Sequence, residues 1–366
     1  MKVLFVFNHP APYKVRLFNE LVKNSEIDLQ VIFERKSASD RPSDFYNAKE
    51  MNFKYMFLKG GAFGKENSNT KELKNYIKDN HKEYDLIIMN GYSQVSEMRA
   101  IKYMRKHNIP FILYINGGVI KKESFLKRRI KTEYISSACK YMSPCEEASE
   151  YLYHYGVKKE DVFHYPYSTI YETDILKEPL TVEEKMAIRK KYQLPESKLF
   201  VTASQFIDRK NIEQTILSFK NHKETLLVIG NGPRKTKYLS LIEKNNIKNV
   251  IIMDFLSKDN LLEVLKSADA FITLSKEDIY GHTTNEALGC GLPVISSKKV
   301  ISSLHLIKDG KNGFLVDLDN NESIQKAIDS VNSSMTKCAL VTARENTIEK
   351  SGKEHIKIFK ELAKCV

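Results

Sequence analysis

Two carboxylic acids lie on either side of a glycine turn in the second half of this 366-residue chain. Asp278 comes before Gly281, and Glu286 comes after it in the run Asn285-Glu-Ala-Leu-Gly-Cys-Gly-Leu-Pro-Val-Ile295. The pattern predicts a strand end, a turn and the start of a helix, whose unpaired N–H groups and positive dipole end attract anions. We therefore expect a phosphate at the turn, with ligand hydroxyl groups at the two carboxylates. Acids at these positions are also common in loops and helices that bind no ligand.

Three other features follow strands of the same half, and each is weak evidence by itself. Arg209-Lys210 stands where adjacent cations can neutralise a diphosphate, although lysine-rich proteins often carry such pairs on their surface. Gly230-Asn-Gly-Pro233 is a tight turn after the next strand, and Asp254-Phe-Leu256 ends another strand where a base would fit. Their shared position at strand ends favours a site for a nucleotide sugar.

These residues must be positioned by strands. In both halves of the chain, short apolar runs alternate with helical patterns. The strand-like runs lie at 2–7, 29–33, 85–89, 110–115, 199–203, 226–229, 250–253, 270–274 and 293–295, and the first Rossmann-like unit closes near 162–167. The alternation predicts an α/β protein with two Rossmann-like doubly wound domains, at 1–168 and 169–344, facing a central cleft. Residues 170–195 resemble a connection between them. An amphipathic helix over 345–366 has no strand after it.

Composition narrows the class of protein. Hydrophobic residues make up 42% and charged residues 28% of the chain, which is typical of globular domains. No apolar run approaches the roughly 18 residues of a membrane-spanning helix. The apolar run within the first seven residues is too short to be the hydrophobic region of a signal peptide. Five scattered cysteines predict neither disulfides nor a zinc site. The net charge of +12 favours polyanions: nucleic acid, an anionic membrane or phosphorylated substrates. We expect a cytoplasmic protein.

Residues 202–316 resemble the donor-binding half of the family-four retaining glycosyltransferases, which have the GT-B fold. The matching motifs are Arg209-Lys210, Gly230-Asn-Gly-Pro233, Ser267-Ala-Asp269, Asp278-Ile-Tyr-Gly281, Asn285–Ile295 and Asp309-Gly-Lys-Asn-Gly313. The resemblance covers about a third of the chain by motif and all of it by architecture. It implies a bacterial surface-polysaccharide or capsule enzyme whose last helix crosses back to the first domain.

The resemblance also implies residue roles. Glu286 would hold the ribose hydroxyls, Asp278 the donor sugar, and Lys210 with Arg209 would stabilise the leaving diphosphate without a metal or other cofactor. Further donor-binding residues are then expected at Gly230, Gly232, Pro233, Phe255, Leu256, Ile279, Tyr280, Gly281, His282, Thr283 and Thr284. Two departures affect this interpretation, since the family usually has Glu at Asp278 and often has Arg at Gln205.

The first domain would bind the acceptor, a glycan or lipid-linked oligosaccharide. His9 follows the first strand, where it would touch the acceptor or phosphate or simply cap a turn. Asn116 and Gly117 follow the strand ending at Ile115. An asparagine cannot act as a general base, so we assign Asn116 to positioning in the reacting centre. In the front-face mechanism that the family implies, the departing phosphate takes the acceptor proton.

A basic segment follows directly and predicts an amphipathic helix beside an anionic lipid surface, or alternatively a solvated helix face. Its membrane-facing cations would be Lys121, Lys122, Lys127, Arg128, Arg129 and Lys131. Six tyrosines between Tyr141 and Tyr167 are either interfacial anchors or core residues. If the segment binds lipid, the enzyme is peripherally associated with the inner face of the cell membrane.

The leading hypothesis is a retaining, metal-independent glycosyltransferase that moves a sugar from a nucleotide diphosphate sugar to a cell-surface glycan precursor. A nucleotide-sugar epimerase of the same fold would instead release a rearranged nucleotide sugar. A basic nucleic-acid-binding protein would show steep salt dependence, but no nucleic-acid module is recognised, so nucleic acid is not an expected partner. An inactive donor-binding subunit would bind nucleotide and form no product.

Overall fold

The computed structural model describes residues 1–36, 50–59 and 71–365, and the chain divides into two units. Unit 1 comprises Met1–Ser168 and Ile348–Val366, and unit 2 comprises Thr169–Thr347. Each unit contains a parallel sheet. Unit 1 is therefore built from two separate stretches of the sequence, and unit 2 from the stretch between them.

The described part of unit 1 contains a seven-stranded sheet of order β3-β2-β1-β4-β5-β6-β7. Its strands are β1 Lys2–Phe7, β2 Asp28–Phe33, β3 Lys54–Phe57, β4 Leu86–Met89, β5 Ile112–Tyr114, β6 Lys140–Ser143 and β7 Val162–His164. The helices of this unit are α1 Pro12–Leu21, α2 Glu72–Asn80, α3 Val95–Lys106, α4 Phe125–Ile135, α5 Glu146–His154 and, after unit 2, α14 Ile348–Leu362. The order reverses at β1, so the loops after β1 and β4 diverge at the carboxyl edge, where open α/β sheets bind ligands.

Unit 2 repeats this topology with a six-stranded sheet of order β10-β9-β8-β11-β12-β13. Its strands are β8 Leu199–Ala203, β9 Thr225–Ile229, β10 Val250–Met253, β11 Ala270–Thr273, β12 Val294–Ser297 and β13 Gly313–Val316. Its helices are α6 Val182–Lys191, α7 Ile212–Ser218, α8 Lys235–Lys244, α9 Lys258–Ser267, α10 Thr283–Gly289, α11 Ile301–Leu306, α12 Asn321–Ser330 and α13 Thr336–Glu345. Along β8, Val201 and Phe200 point into separate hydrophobic clusters, so apolar residues are buried on both faces of the sheet.

Helix α14 packs against α1 within unit 1. Gly352 permits the close approach, because a Cβ there would lie 2.8 Å from Glu20 Cγ. His355 of the same helix is fully buried and receives or donates a 3.2 Å hydrogen bond with the Tyr114 hydroxyl, which also accepts one from Lys14 Nζ at 2.7 Å. Burial lowers the pKa of His355 to about 3 and places the pKa of Lys14 well below its usual value. The last helix is thus an integral part of the unit 1 core.

Helix α6 is tied to the sheet of unit 2 by a buried arginine. Arg189 is 2% exposed, and its guanidinium donates to Asp269 Oδ2 at 2.7 Å and to Ser267 O at 2.9 Å. Burial disfavours the charged form of Asp269, but the Leu199 N–H bond and the cations Lys185 and Arg189 outweigh it and lower the pKa of Asp269. The stretch expected to be a connection between domains is therefore a packed element of unit 2.

The predicted α/β class with two Rossmann-like domains is confirmed, and strands β1, β8 and β10 have the expected bounds. Three short strands were not predicted: β3, β6 and β13. The first two mix lysine with apolar residues, and β13 begins at Gly313, whose backbone lies so close to Val294 that a Cβ would be 2.0 Å from its carbonyl oxygen. The predicted final helix at 345–366 is observed at Ile348–Leu362.

Candidate active site

Lys210 and Asp278, which are distant in sequence, meet at the carboxyl edge of the unit 2 sheet. Lys210 ends a 3-10 turn, Asp208–Lys210, that follows β8, and its Nζ donates a hydrogen bond to Asp278 Oδ2. Arg209 Nη1 lies 3.6 Å from the other carboxylate oxygen. The Lys210 and Asp278 side chains are only 14% and 12% exposed, so solvent screens their attraction weakly. The fold brings together the two cations and the acid that the sequence singled out.

The glycine turn after Asp278 has a backbone that only glycine adopts readily. Gly281 has φ +92°, and a Cβ there would lie 2.6 Å from Val300 Cγ1. Ser302 closes the turn from the other side, because its N–H donates to Tyr280 O at 2.8 Å and its hydroxyl donates to Gly281 O at 2.7 Å. These contacts fix the path of the chain between Asp278 and α10.

Glu286 lies on α10 and is held by two residues that the sequence did not single out. Its Oε1 accepts a 3.0 Å hydrogen bond from Thr169 Oγ1 and lies 3.5 Å from Lys258 Nζ. Lys258 also donates to Thr169 O, which closes a three-residue cluster. Lys258 is the first residue of the helix that follows β10. Its position after a strand is the feature of the sequence that could have indicated a site residue. Nothing in the sequence around Thr169 indicated a role.

The turn at Gly230-Asn-Gly-Pro233 lies against the loop after β8. A Cβ at Gly230 would be 1.9 Å from Ser204 O, and one at Gly232 would be 2.8 Å from Phe206 O. The Phe206 N–H also donates to Asn231 O at 2.9 Å. The glycines at this turn are therefore explained by backbone contact within the unit, at the loop where the family often has an arginine.

The remaining predicted donor residues differ in exposure. Phe255 and Ile279 are 56% and 50% exposed, and Leu256 is half-buried against the core. His282 and Thr283 are also half-buried, whereas Tyr280 is 3% exposed. Thr284 is fully buried, with its hydroxyl 3.0 Å from Ser303 Oγ and its N–H bonded to Gly281 O. The Thr284 side chain thus has no surface left for a ligand.

In unit 1 the predicted acceptor-side residues all follow strands at the carboxyl edge. His9 comes after β1, and Asn116 and Gly117 come after β5. Strand β4 separates these two strands, so His9 and Asn116 are roughly 10 Å apart along the sheet edge. Asn116 Oδ1 is buried and has no hydrogen-bond partner among the described residues. Gly117, with φ +124°, turns the chain away from β5.

Two buried carboxyl groups at the same edge were not predicted. Glu34 follows β2, and Glu97 lies in the first turn of α3. Burial raises the pKa of Glu34 to about 7, although the hydrogen bond from Ser96 acts in the opposite direction. Burial and the nearby charge of Glu34 raise the pKa of Glu97 well above its usual value. Part of this pair is therefore protonated near neutral pH and can donate a hydrogen bond.

The basic segment forms α4 only from Phe125 onward, capped by Ser124. Its exposed residues include both charged and large apolar side chains: Lys121, Lys122, Lys127, Arg128 and Arg129, with Phe125 81%, Leu126 66% and Ile130 41% exposed. Lys131 does not share this exposure, because it pairs with Glu123 at 2.7 Å and donates to Tyr155 OH at 3.0 Å.

Most of the tyrosines near this segment belong to the core. Tyr141, Tyr155, Tyr165 and Tyr167 are each less than 5% exposed. Buried rings of this kind cannot reach a lipid interface, so these four tyrosines are not interfacial anchors. Among the described residues, no helix is long and apolar enough to cross a membrane.

The family model described as Glycosyl transferases group 1 matches residues 184–351, which contain Lys210, Asp278 and Glu286. Residues 184–351 therefore match a group 1 glycosyltransferase domain. The resemblance noted in the sequence is thereby confirmed. The roles of individual site residues stay predictions.

Comparison with known proteins agrees with this assignment. The N-acetyl-alpha-D-glucosaminyl L-malate synthase of Bacillus anthracis is 27% identical over 143 residues, which are 37% of each chain. The first three curated relatives are matched over only 37% to 56% of their own length. Two solved structures cover nearly all of both chains: sucrose-phosphate synthase from Thermosynechococcus elongatus, with TM-score 0.79 and 15% identity, and HepE of Anabaena in complex with UDP and glucose, with TM-score 0.76 and 14% identity. They confirm the GT-B fold of this chain.

Proposed function

We propose that this protein is a retaining, metal-independent glycosyltransferase that transfers a sugar from a nucleotide diphosphate sugar to a hydroxyl group of a lipid-linked cell-surface glycan precursor. The observation that carries the proposal is the convergence of Lys210 and Arg209 on Asp278 at the strand ends of a group 1 glycosyltransferase domain. Two cations beside one carboxylate can bind a diphosphate and a sugar hydroxyl at adjacent positions.

The donor would bind unit 2 through groups of different chemistry. The exposed ring of Phe255 and the half-buried Leu256 offer an apolar surface to the base. Glu286 would accept hydrogen bonds from the ribose, and Asp278 would accept one from the donor sugar. Carboxylates suit both tasks because ionised acceptors form strong hydrogen bonds with hydroxyl groups.

Lys210 and Arg209 would stabilise the leaving diphosphate. As the bond between the sugar and the diphosphate breaks, negative charge grows on the phosphate oxygen, and fixed cations lower the energy of that state more than that of the bound donor. Before the donor binds, Asp278 holds Lys210 in place. The two cations supply the positive charge that a metal would otherwise provide.

The acceptor would bind at the carboxyl edge of unit 1. His9, Asn116 and Gly117 follow β1 and β5 there, and Asn116 would orient the acceptor hydroxyl. Retention follows if that hydroxyl attacks from the face that the diphosphate leaves, with the departing phosphate oxygen taking the proton. The O–H and sugar–phosphate bonds break, and one glycosidic bond forms.

The exposed face of α4 supports a peripheral site of action at the inner, cytoplasmic face of the membrane. Phe125 and Leu126 would enter the interface while Arg128 and Arg129 contact anionic headgroups. The double variant F125S/L126S should lose cosedimentation with phosphatidylglycerol vesicles and keep donor turnover in solution. Unchanged sedimentation would refute the membrane role alone.

The donor function is tested by binding and turnover of UDP-, GDP-, ADP- and TDP-sugars, each with and without a chelator, beside Glu286→Ala. We expect one donor to bind and hydrolyse slowly despite the chelator, and the variant to lose both. NMR of the product with an acceptor would show the anomeric configuration. A rearranged nucleotide sugar would identify an epimerase, binding without product an inactive subunit, and steep salt-dependent binding of RNA or DNA alone would overturn the proposal.

A further inference from the structure

The first residue of α9, Lys258, links the loop expected to contact the base with the carboxylate expected to contact the ribose. It follows the loop that carries Phe255 and Leu256, with Ser257 as the helix cap. Its Nζ lies 3.5 Å from Glu286 Oε1 and donates to Thr169 O. The Lys258 side chain is 26% exposed, so its charge acts on Glu286 through a partly desolvated space.

Helix stability does not explain a lysine at this position. The first turn of a helix is the positive end of the dipole, where acidic side chains are favoured and cations are not. Asp259 meets that preference at the next position, whereas Lys258 opposes it. The contacts with Glu286 and Thr169 provide a reason for the cation that the helix alone does not.

The two oxygens of Glu286 have different surroundings. Oε1 accepts from the Thr169 hydroxyl at 3.0 Å and faces Lys258. The contacts from Thr169 and Lys258 are thus both made with Oε1. The carboxylate is therefore anchored on one side, which fixes the plane in which its other lone pairs are offered to a ligand.

We propose that Lys258 and Thr169 are positioning residues that orient Glu286 toward the ribose diol, and that they make the donor site selective for ribonucleoside over 2′-deoxyribonucleoside diphosphates. This inference rests on the proposed donor function. A fixed acceptor cannot turn to recover the hydrogen bond that a missing hydroxyl removes, so the deoxy ligand leaves a polar group unpaired. A mobile carboxylate adapts to either sugar and discriminates less.

The test uses the full chain and titration calorimetry. The nucleoside diphosphate that binds most tightly among UDP, GDP and ADP is compared with its own 2′-deoxy form. The wild-type protein should prefer the ribose form by at least about tenfold, the value of one hydrogen bond to a charged group. Lys258→Met and Thr169→Val should each reduce that preference to within about threefold, chiefly by weakening the ribose form.

Lys191→Met is the matched control. Lys191 Nζ lies 2.7 Å from a carboxylate oxygen of Glu263, which is on α9 like Lys258, and the Lys191 side chain is 59% exposed. This control should keep the wild-type preference, and Lys258→Arg should recover part of it. Equal weakening of both ligands in Lys258→Met and Thr169→Val would overturn the proposal, as would a wild-type protein that binds both forms alike. If the wild-type protein binds no nucleoside diphosphate, the proposed donor function itself fails.

Discussion

Replacing Lys210 by methionine should slow donor turnover far more than it weakens donor binding. The side chain is 14% exposed and would act on charge that develops as the diphosphate leaves. Removing one such group costs roughly 2.7–4 kcal/mol of transition-state stabilisation, which is about 10²–10³ in kcat. Arg209 remains near the same carboxylate, so we expect a loss close to about 10².

The assay is release of nucleoside diphosphate at saturating and limiting donor concentrations. Lys210→Arg keeps the charge and should remain within about tenfold of wild type. Lys235→Met removes a lysine that pairs with Asp254 at 2.5 Å, a carboxylate that is 68% exposed, and should change kcat little. The reasoning is refuted if Lys210→Met folds, binds donor and retains kcat within about threefold, because Lys210 would then only hold Asp278 in the resting protein.

Three further predictions concern stability and the glycine turn. Asp269→Ala should lower the unfolding free energy in urea by about 3–5 kcal/mol, since it leaves the buried Arg189 without its carboxylate, and a loss below about 1 kcal/mol would contradict this. Gly281→Ala should abolish nucleotide binding in calorimetry. Gly310→Ala is the control, because Gly310 has φ +72° and open space where its Cβ would lie, and it should preserve binding. Equal losses of binding in the two variants would show that backbone strain, and not the crowding at Gly281, causes the loss. Burial lowers the pKa of His355 from 6.5 to about 3, so the unfolded chain takes up the proton first and unfolding free energy falls as pH drops from 6.5 towards 3. His355→Gln should flatten that slope in denaturant titrations at several pH values, and an unchanged slope would assign it to other groups.

The sequence predicted the architecture and the meeting of the candidate donor residues Lys210 and Asp278 because both depend on local patterns. Apolar runs mark strands, and the residues after them meet at one sheet edge, which is why Lys210 and Asp278 were found from motifs that lie far apart. Thr169 and Lys258 escaped prediction because their relation to Glu286 arises only when the chain has folded, from positions 117 and 28 residues away. A spacing pattern does not contain that information.

In the basic segment, the sequence pattern did not show which side chains are exposed. Six cations suggested one membrane face, but two contacts, with Glu123 and Tyr155, turn Lys131 inward. The exposed apolar residues Phe125 and Leu126 could be read from the sequence, yet their exposure depends on which side of α4 the rest of unit 1 covers. Side-chain direction on a short helix is decided by tertiary packing, so it required the structure.

The discontinuous composition of unit 1 determines the order in which the chain can mature during synthesis. The ribosome delivers all of unit 2 before it delivers α14, whose residues Phe359 and Leu362 are fully buried in unit 1. Unit 2 can therefore complete its core while the first segment of unit 1, Met1–Ser168, is still incomplete. At that stage the surface of α1 that α14 later covers is exposed to water. A chain truncated after Thr347 would contain all of unit 2 but lack the last helix of unit 1. The core of unit 1 therefore cannot be completed until unit 2 and the final helix have both been synthesised.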